Sequence, residues 1–277
     1  MGLVEPRSVM QTDFLNSVTR TDIGNVFYRL RRAMYDDDGG YSYLRYADQA
    51  ADDLWANHFR LSLNQYSEAR AWTELQRRVE EGTWAEALSV LDALVKAMHK
   101  VDERHGLELA DSTRHGFNTV FEANLVGYRF VDYELVPITN SIEMESIEDA
   151  LVATEEFEGA QAHLANALQL LSLQGGHKYA KSVSESISAV EAIVRHFTGA
   201  ATLGAGVKLL RAKGVDVHPS LADGWSKIYG YTNDAGGVRH GSVEASKVDE
   251  PLATYFLVTC SAFVNLLIKY SLQTSDI

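Results

Sequence analysis

An arginine and a histidine stand side by side in a glycine-rich stretch in the second half of the chain. Arg239 and His240 lie in the string NDAGGVRHGS, between two strongly helical segments. A histidine has a pKa near neutrality and transfers protons at physiological pH, and a guanidinium forms a planar fork that matches the oxygens of a phosphate. Gly236 and Gly237 let the backbone approach such a group closely. These residue types therefore favour a site for proton transfer beside a phosphate.

The dipeptide alone is a weak signal, because Arg-His pairs also occur at 104–105, 114–115 and 195–196. An arginine at a turn can instead cap the carbonyl groups of a helix end or pair with a carboxylate. A structural turn is therefore the alternative interpretation of Arg239 and His240.

The charge of the chain excludes one class of function. The formal net charge is −13, and residues 1–140 carry 22 Asp and Glu against 15 Lys and Arg, while 141–277 carry 16 against 10. Proteins that coat nucleic acid without regard to sequence neutralise many phosphates with Lys and Arg. Neither half of this chain is such a module, although an enzyme with a small basic site remains compatible with the composition.

The chain has the features expected of a cytoplasmic protein. Its single cysteine, Cys260, leaves no intrachain disulfide possible. The N-terminal residues have no apolar core of signal-peptide length. The longest apolar run, Tyr255 to Ile268, looks too short to cross a bilayer. We therefore expect no membrane association.

Apolar residues recur every three or four positions through most of the first half, which predicts helices. The clearest amphipathic helix there covers 84–100. The period changes in the string YRFVDYELVPI, which predicts two short strands about a tight turn near Asp132 and Tyr133. A short helix closed by Gly127 is expected just before this hairpin.

The second half reads as helices again. The pattern predicts one long helix over 145–173, further helices over 178–198 and 203–213, and one from Pro219 to Tyr231. The last helix, 251–270, is apolar on nearly every side and belongs in the centre of a bundle or in a dimer interface. The predicted fold is mainly all-α, with an N-terminal helical region over 1–140 that ends in the β-hairpin and a helical bundle over 141–277.

Two longer strings resemble a known family. HPSLADGWSKIYGYTNDAGGVRHGS, followed by FLVTCSAFVNLLIKY, is similar to the AbiJ N-terminal-domain proteins, which are HEPN-like and associated with bacterial abortive infection and phage defence. The hairpin string GYRFVDYELVPIT and the helix string SVSESISAVEAIV fit the same pattern. The resemblance covers 117–270 and is weaker over 20–116.

The resemblance implies where a site would lie. HEPN ribonucleases carry an arginine, four to six intervening residues and a histidine at a turn between helices. His240 and Gly241 fit the histidine end, but the positions five to seven before His240 are Ala235, Asp234 and Asn233. Arg239 is therefore the candidate to take the place of the missing arginine. Arg211 and His218 have the literal spacing and rank second, because they span the end of a different helix.

Three further residues support the site in this interpretation. The resemblance places the 178–198 helix beside the turn, so Glu191 could orient His240 or pair with Arg239, and a structural salt bridge is the alternative. Tyr231 and Asn233 precede the turn and could stack on a base or form hydrogen bonds with it. The structural alternative for the tyrosine is a half-buried ring with its hydroxyl in water.

Two functions follow from the resemblance. One is a metal-independent endoribonuclease or RNA-binding effector of antiviral defence, which needs no cofactor or metal and works as a homodimer on RNA. The other is a catalytically inactive HEPN-derived module that dimerises or holds another defence protein. The missing arginine favours the second function, and the glycine–Arg–His turn favours the first.

Overall fold

A computed structural model describes residues 10–36, 42–173, 175–234 and 248–275. The chain divides into two compact units, Met1–Thr139 and Asn140–Ile277. Helices dominate both units, and the strands described form one antiparallel hairpin. The predicted fold class is confirmed. Whether the two regions fold independently stays a prediction.

The described residues of the first unit form five α-helices, a hairpin and two short irregular turns. Thr83 caps the long central helix by accepting a hydrogen bond from the Glu86 backbone N–H, and Gly106 ends that helix in the left-handed conformation with φ 67°. The elements are α1 Ser17–Asp36, α2 Ser42–Asp53, a π-helical turn Leu54–His58, a 3₁₀ turn Leu63–Gln65, α3 Glu68–Glu81, α4 Trp84–His105, α5 Leu109–Ala123, β1 Arg129–Val131 and β2 Glu134–Val136.

Aromatic rings form the centre of the first unit. Phe27 of α1 meets Trp72 of α3 and Phe117 of α5 edge to face, with ring centroids 6.3 and 5.6 Å apart. Trp72 donates its indole N–H to the buried carboxylate of Asp48 at 2.7 Å. Such edge contacts add to the free energy gained by burying the rings, so this cluster ties three helices together.

The hairpin lies between α4 and α5 and is fastened to both. Phe130 pairs with Leu135 in the antiparallel register, and the turn falls at Asp132 and Tyr133 as predicted. From α5, Asn118 donates to the Phe130 carbonyl and accepts from its N–H, both at 2.8 Å. A two-stranded hairpin is not stable alone, so these side chains replace the missing neighbouring strand.

The helix before the hairpin differs from the prediction. It begins at Leu109 and ends at Ala123, instead of being a short helix closed by Gly127. Leu125 adopts φ 54° and turns the chain. Gly127 instead donates its backbone N–H to Gln11 at 2.8 Å, and an added Cβ would clash with Thr12. The glycine is needed for a close backbone approach to the N-terminal segment.

The second unit consists of helices, and α8 and α11 lie at its centre. α8 packs against α7, α9 and α11, and α11 packs against α6, α7 and α8. The elements are α6 Ser141–Ala153, α7 Glu158–Ser172, α8 Gly176–Thr198, α9 Leu203–Leu209, a 3₁₀ turn Arg211–Lys213, α10 Pro219–Asp234 and α11 Glu250–Ser275.

The single helix predicted over 145–173 is wrong, because the chain forms α6 and α7 with a break between them. The Thr154 hydroxyl donates to the Ala150 carbonyl at 2.7 Å, and the Phe157 N–H bonds to the Thr154 carbonyl. The ring of Phe157 packs edge to face on Phe197 of α8. A threonine side chain that bonds to a carbonyl of its own helix weakens the backbone hydrogen bonding of that helix. Phe157, which lies outside both helices, packs its ring on Phe197 instead of continuing α6.

Helix α11 is longer than the apolar run Tyr255 to Ile268, which we judged from the sequence to be too short to cross a bilayer. Its stretch Glu250–Leu272 is long and apolar enough to cross a membrane by those two criteria alone, so that argument is wrong. More than half of the stretch is buried inside the protein. Asn265, in the buried part, donates to the Ser146 carbonyl of α6 at 2.9 Å. This packing favours a core helix of the second unit.

Candidate functional site

The predicted pair Arg239–His240 lies outside the described residues, together with Gly236 and Gly237. Asn233 is placed in the last turn of α10, but its side chain is likewise outside the description. Residues 235–247 connect helices α10 and α11, and both of these helices are described. Helix α10 ends at Asp234, and the described chain resumes at Val248.

Helices α10 and α11 are antiparallel neighbours joined by two ring pairs. Trp225 stacks on Phe263 with centroids 4.1 Å apart, and Tyr231 stacks on Phe256 at 5.9 Å. From the first ring pair to the second, the residue number rises from 225 to 231 in α10 and falls from 263 to 256 in α11. The two helices therefore run in opposite directions. The end of α10 and the start of α11, which flank residues 235–247 in the sequence, therefore lie at the same end of the second unit. Tyr231, one of the predicted supporting residues, has 47% of its surface exposed at this end.

The start of α11 carries two carboxylates. Asp249 caps the helix by accepting from the Leu252 N–H at 3.1 Å. Glu250 receives a long hydrogen bond of 3.5 Å from the Tyr179 hydroxyl of α8. Burial raises the pKa of Glu250, and the charge of Asp249 adds to that shift, while the bond from Tyr179 opposes it. Carboxylates at a helix start oppose the binding of an anion there.

Sequence reasoning missed Tyr179 and Glu250 as neighbours of the segment. Burial also raises the pKa of Tyr179, and Glu250 adds to that shift. Perturbed titratable groups tend to collect at functional sites. Nothing in the sequence connected the two residues, because Tyr179 was one member of an apolar stripe and Glu250 fell just before the predicted helix 251–270.

Glu191 does not lie beside Tyr179 and Glu250. It stands twelve positions beyond Tyr179 in α8, which corresponds to about 18 Å along the helix axis. Its carboxylate is 3.4 Å from Arg195, one turn further along the same helix. One contact of Glu191 is therefore a salt bridge within its own helix, and a role with Arg239 or His240 stays a prediction.

The second-rank pair, Arg211 and His218, has other contacts. Arg211 pairs with Asp216 at 3.1 Å. The His218 ring nitrogen Nδ1 accepts the Ser220 N–H at 3.2 Å and caps the start of α10. Because α10 has 16 residues, these two lie about 24 Å from the start of the 235–247 segment. The first- and second-rank candidates therefore belong to opposite ends of α10.

One further pair has catalytic residue types. Nδ1 of His163 in α7 lies 2.6 Å from the Glu185 carboxylate of α8, and both side chains are partly exposed. A carboxylate that holds one ring nitrogen orients the other nitrogen, but the pair also joins two adjacent helices, which is the structural interpretation. Among the residues that the structure describes, no group of three or more His, Cys, Asp or Glu could hold a metal ion.

Comparison with known proteins found one family. A sequence model of the family described as AbiJ N-terminal domain 4 matches residues 1–153, which is more than half of the chain. The match spans the first unit and α6. A search of curated proteins and a search of solved structures each found no match.

Proposed function

Because the chain belongs to the AbiJ N-terminal domain 4 family, which is associated with abortive infection and phage defence, we propose that it is a HEPN-like effector that cuts or binds RNA. The family resemblance is confirmed, although the match covers 1–153, whereas the resemblance was placed on 117–270. The HEPN-like part of the proposal therefore rests on the second unit alone. We place its site at Arg239 and His240 and its action in the cytoplasm.

The observation that carries the proposal is the pairing of α10 with α11. A HEPN-type site needs an Arg–His turn between two antiparallel helices of a bundle. The Trp225–Phe263 and Tyr231–Phe256 ring pairs hold α10 and α11 in that relation. The segment that joins them contains the glycine–Arg–His string.

The proposed chemistry needs two groups and no metal. His240 takes the proton from a ribose 2′-hydroxyl, a role that contributes about 10²–10⁴ in rate. The Arg239 guanidinium binds the phosphate as negative charge grows on it. The oxygen of the 2′-hydroxyl then attacks the adjacent phosphorus, and the 5′-oxygen leaves with a proton returned by the protonated His240 or by water. One product therefore ends in a 2′,3′-cyclic phosphate and the other begins with a 5′-hydroxyl.

The purified full-length chain tests this proposal on total RNA and on tRNA. The wild-type protein should produce cyclic phosphate ends in the presence of a chelator. His240→Ala and Arg239→Ala should abolish cleavage, and Arg239→Lys should restore it only in part because lysine lacks the bidentate fork. Matched controls are His115→Ala and Arg104→Ala, which come from two other Arg-His pairs and are exposed in α5 and at the end of α4.

An inactive interaction module is the second candidate. The last turn of α10 ends in Asn233 and Asp234, where a HEPN enzyme would carry its arginine. Helix α11 also keeps an outward row that is exposed or partly exposed, comprising Tyr255, Thr259, Ala262 and Leu266. A second copy of the chain or another defence protein would cover this row. RNA left uncut by the wild type, with His240→Ala protecting cells from phage as well as wild type does, would exclude the enzyme and leave this module.

A further inference from the structure

One stretch of the second unit of this acidic protein carries basic residues and no acidic ones. Between Glu191 and Asp216 the sequence contains no Asp or Glu, but it contains Arg195, Lys208, Arg211 and Lys213. The last three fall within six residues, at the end of α9 and in the 3₁₀ turn that follows it. All three are exposed. We call Lys208, Arg211 and Lys213 the α9 basic face.

The packing of α9 explains why these side chains point to solvent. Leu203, Val207 and Leu210 recur at steps of four and three residues and are buried. Gly206 lies so close to α8 that an added Cβ would clash with Val194. This apolar side fixes α9 on α8, and the basic residues are left on the other sides of the helix and turn.

The charges of the basic face are only weakly neutralised. Lys208 and Lys213 form no ion pair with any residue in the described ranges, and Arg211 is 3.1 Å from Asp216. The side chains of that pair are 67% and 81% exposed. Exposed pairs of this kind contribute little to stability and are screened by salt. A phosphate can therefore replace Asp216 beside Arg211 without disturbing the fold.

We propose that the α9 basic face binds the phosphodiester backbone of single-stranded RNA and so positions the strand for the segment at the other end of α10. This inference rests on the proposed function, since it takes RNA as the ligand. Arginine and lysine contacts to phosphates fix the register of a strand without reading its sequence. Three cations within six residues suit this role better than catalysis, because His218 is occupied in capping α10.

The position of the face fits a strand that runs along α10. The 16-residue helix separates the face from the 235–247 segment by about 24 Å. Lys227, which is exposed near the middle of α10, offers a further cation between the two ends. A strand that is held at α9 and extends along α10 reaches the end of that helix, from which the chain continues into the segment that contains Arg239 and His240.

The test is RNA binding by the full-length chain, in a His240→Ala background so that no RNA is cut. A fluorescein-labelled uridine oligonucleotide is titrated by anisotropy at several salt concentrations. The face variant combines Lys208→Glu, Arg211→Glu and Lys213→Glu. The control variant, with an equal change in net charge at three exposed lysines elsewhere, combines Lys100→Glu, Lys181→Glu and Lys269→Glu. Circular dichroism checks that both variants are folded.

The face variant should bind at least about tenfold more weakly than the background protein. Its slope of log K against log salt concentration should be shallower by about 2, at about 0.7 for each of three lost phosphate contacts. The control variant should keep its affinity within about twofold and its slope unchanged. Equal weakening by both variants, no weakening by the face variant, or no binding by the background protein would each overturn the inference.

The outcome separates this inference from the proposed enzyme. If the wild type cleaves RNA and the face variant binds RNA as tightly as the background protein, the α9 basic face is refuted and the proposed role of Arg239 and His240 is unaffected. Binding that depends on the face, together with no cleavage by the wild type, supports the face and removes the enzyme.

Discussion

The contact between Asn118 and the hairpin yields a stability prediction with a calculable size. Asn118 of α5 makes two hydrogen bonds of 2.8 Å to the backbone of Phe130, and Phe130 is fully buried. Replacement by alanine removes both bonds and leaves a buried N–H and a buried carbonyl without their partner. Each lost bond costs about 1 kcal/mol, and a buried unsatisfied group costs more. Asn118→Ala should therefore destabilise the first unit by about 2–3 kcal/mol.

Helix propensity would mask part of this loss, because alanine is a better helix former than asparagine. Asn25→Ala provides the correction, since Asn25 is exposed in α1. Both substitutions gain about the same propensity of roughly 0.5 kcal/mol. The quantity of interest is therefore the difference in the free energy of unfolding between the two variants.

Urea denaturation followed by tryptophan fluorescence measures that difference. Three of the four tryptophans, at positions 55, 72 and 84, belong to the first unit. With a urea dependence of about 1–3 kcal/mol per molar, the midpoint for Asn118→Ala should fall by roughly 1 M relative to Asn25→Ala. A difference below about 0.5 kcal/mol would refute the reasoning, because it would show that solvent satisfies the outer edge of β1 as well as the amide does.

Three other predictions follow from the second unit and the division of the chain. Glu250→Gln should unfold at a higher temperature than wild type at pH 7, and the gap should close as the pH falls towards the ordinary glutamate pKa of 4.5. The sign follows because a carboxyl whose pKa is raised in the folded state contributes stability below its ordinary pKa and loses that contribution as the pH rises. A difference in unfolding temperature that does not depend on pH would contradict the role of the charge. Fragments 1–139 and 140–277 should each give helical circular dichroism spectra, and two unfolded fragments would mean that the chain is one cooperative domain. The protein should sediment as a homodimer. Ala262→Arg on the outward row of α11 should produce folded monomers, whereas the control Ala165→Arg on the exposed side of α7 should remain a dimer. A wild-type monomer at micromolar concentration would refute the dimer.

Helices with strong local signals could be predicted from the sequence. The apolar stripe after Trp84 predicted a helix that the structure places at Trp84–His105. The prediction covered 84–100, whereas the helix continues to the left-handed Gly106. The hairpin was equally readable, since a change of period from helix to strand and a two-residue turn are local properties of the chain.

Features that depend on tertiary packing could not be predicted. The break between α6 and α7 has no glycine or proline, so its sequence reads as a continuous helix. The break depends on Phe157 packing against Phe197, which lies 40 residues away along the chain. Asn118 likewise read as an ordinary helical residue, because its partner Phe130 belongs to a different element.

The candidate site was predicted only as far as its residue types allow. Resemblance singled out the glycine–Arg–His string, and the helix predicted from Pro219 to Tyr231 already separated Arg211 and His218 from it. The resemblance placed the 178–198 helix beside the turn and so suggested Glu191, whereas Tyr179 of the same helix donates a hydrogen bond to Glu250 at the start of α11. The role of Glu191 stays a prediction. Position along a helix axis decides such questions, and a sequence motif does not record which end of a neighbouring helix faces the site.

The arrangement of arginine and histidine ties the proposed enzyme to the proposed dimer. In a HEPN enzyme the arginine precedes the histidine by about a helical turn or more, but here Arg239 and His240 are adjacent. Adjacent side chains point to opposite sides of an extended chain and diverge by about 100° in a helix, which favours a site that a second copy completes. Two copies facing each other provide such a site, because Arg239 of one protomer can serve His240 of the other. The inactive module needs a dimer only for binding, whereas the enzyme needs it for chemistry. A monomeric variant such as Ala262→Arg that still cuts RNA at the wild-type rate would refute this shared site.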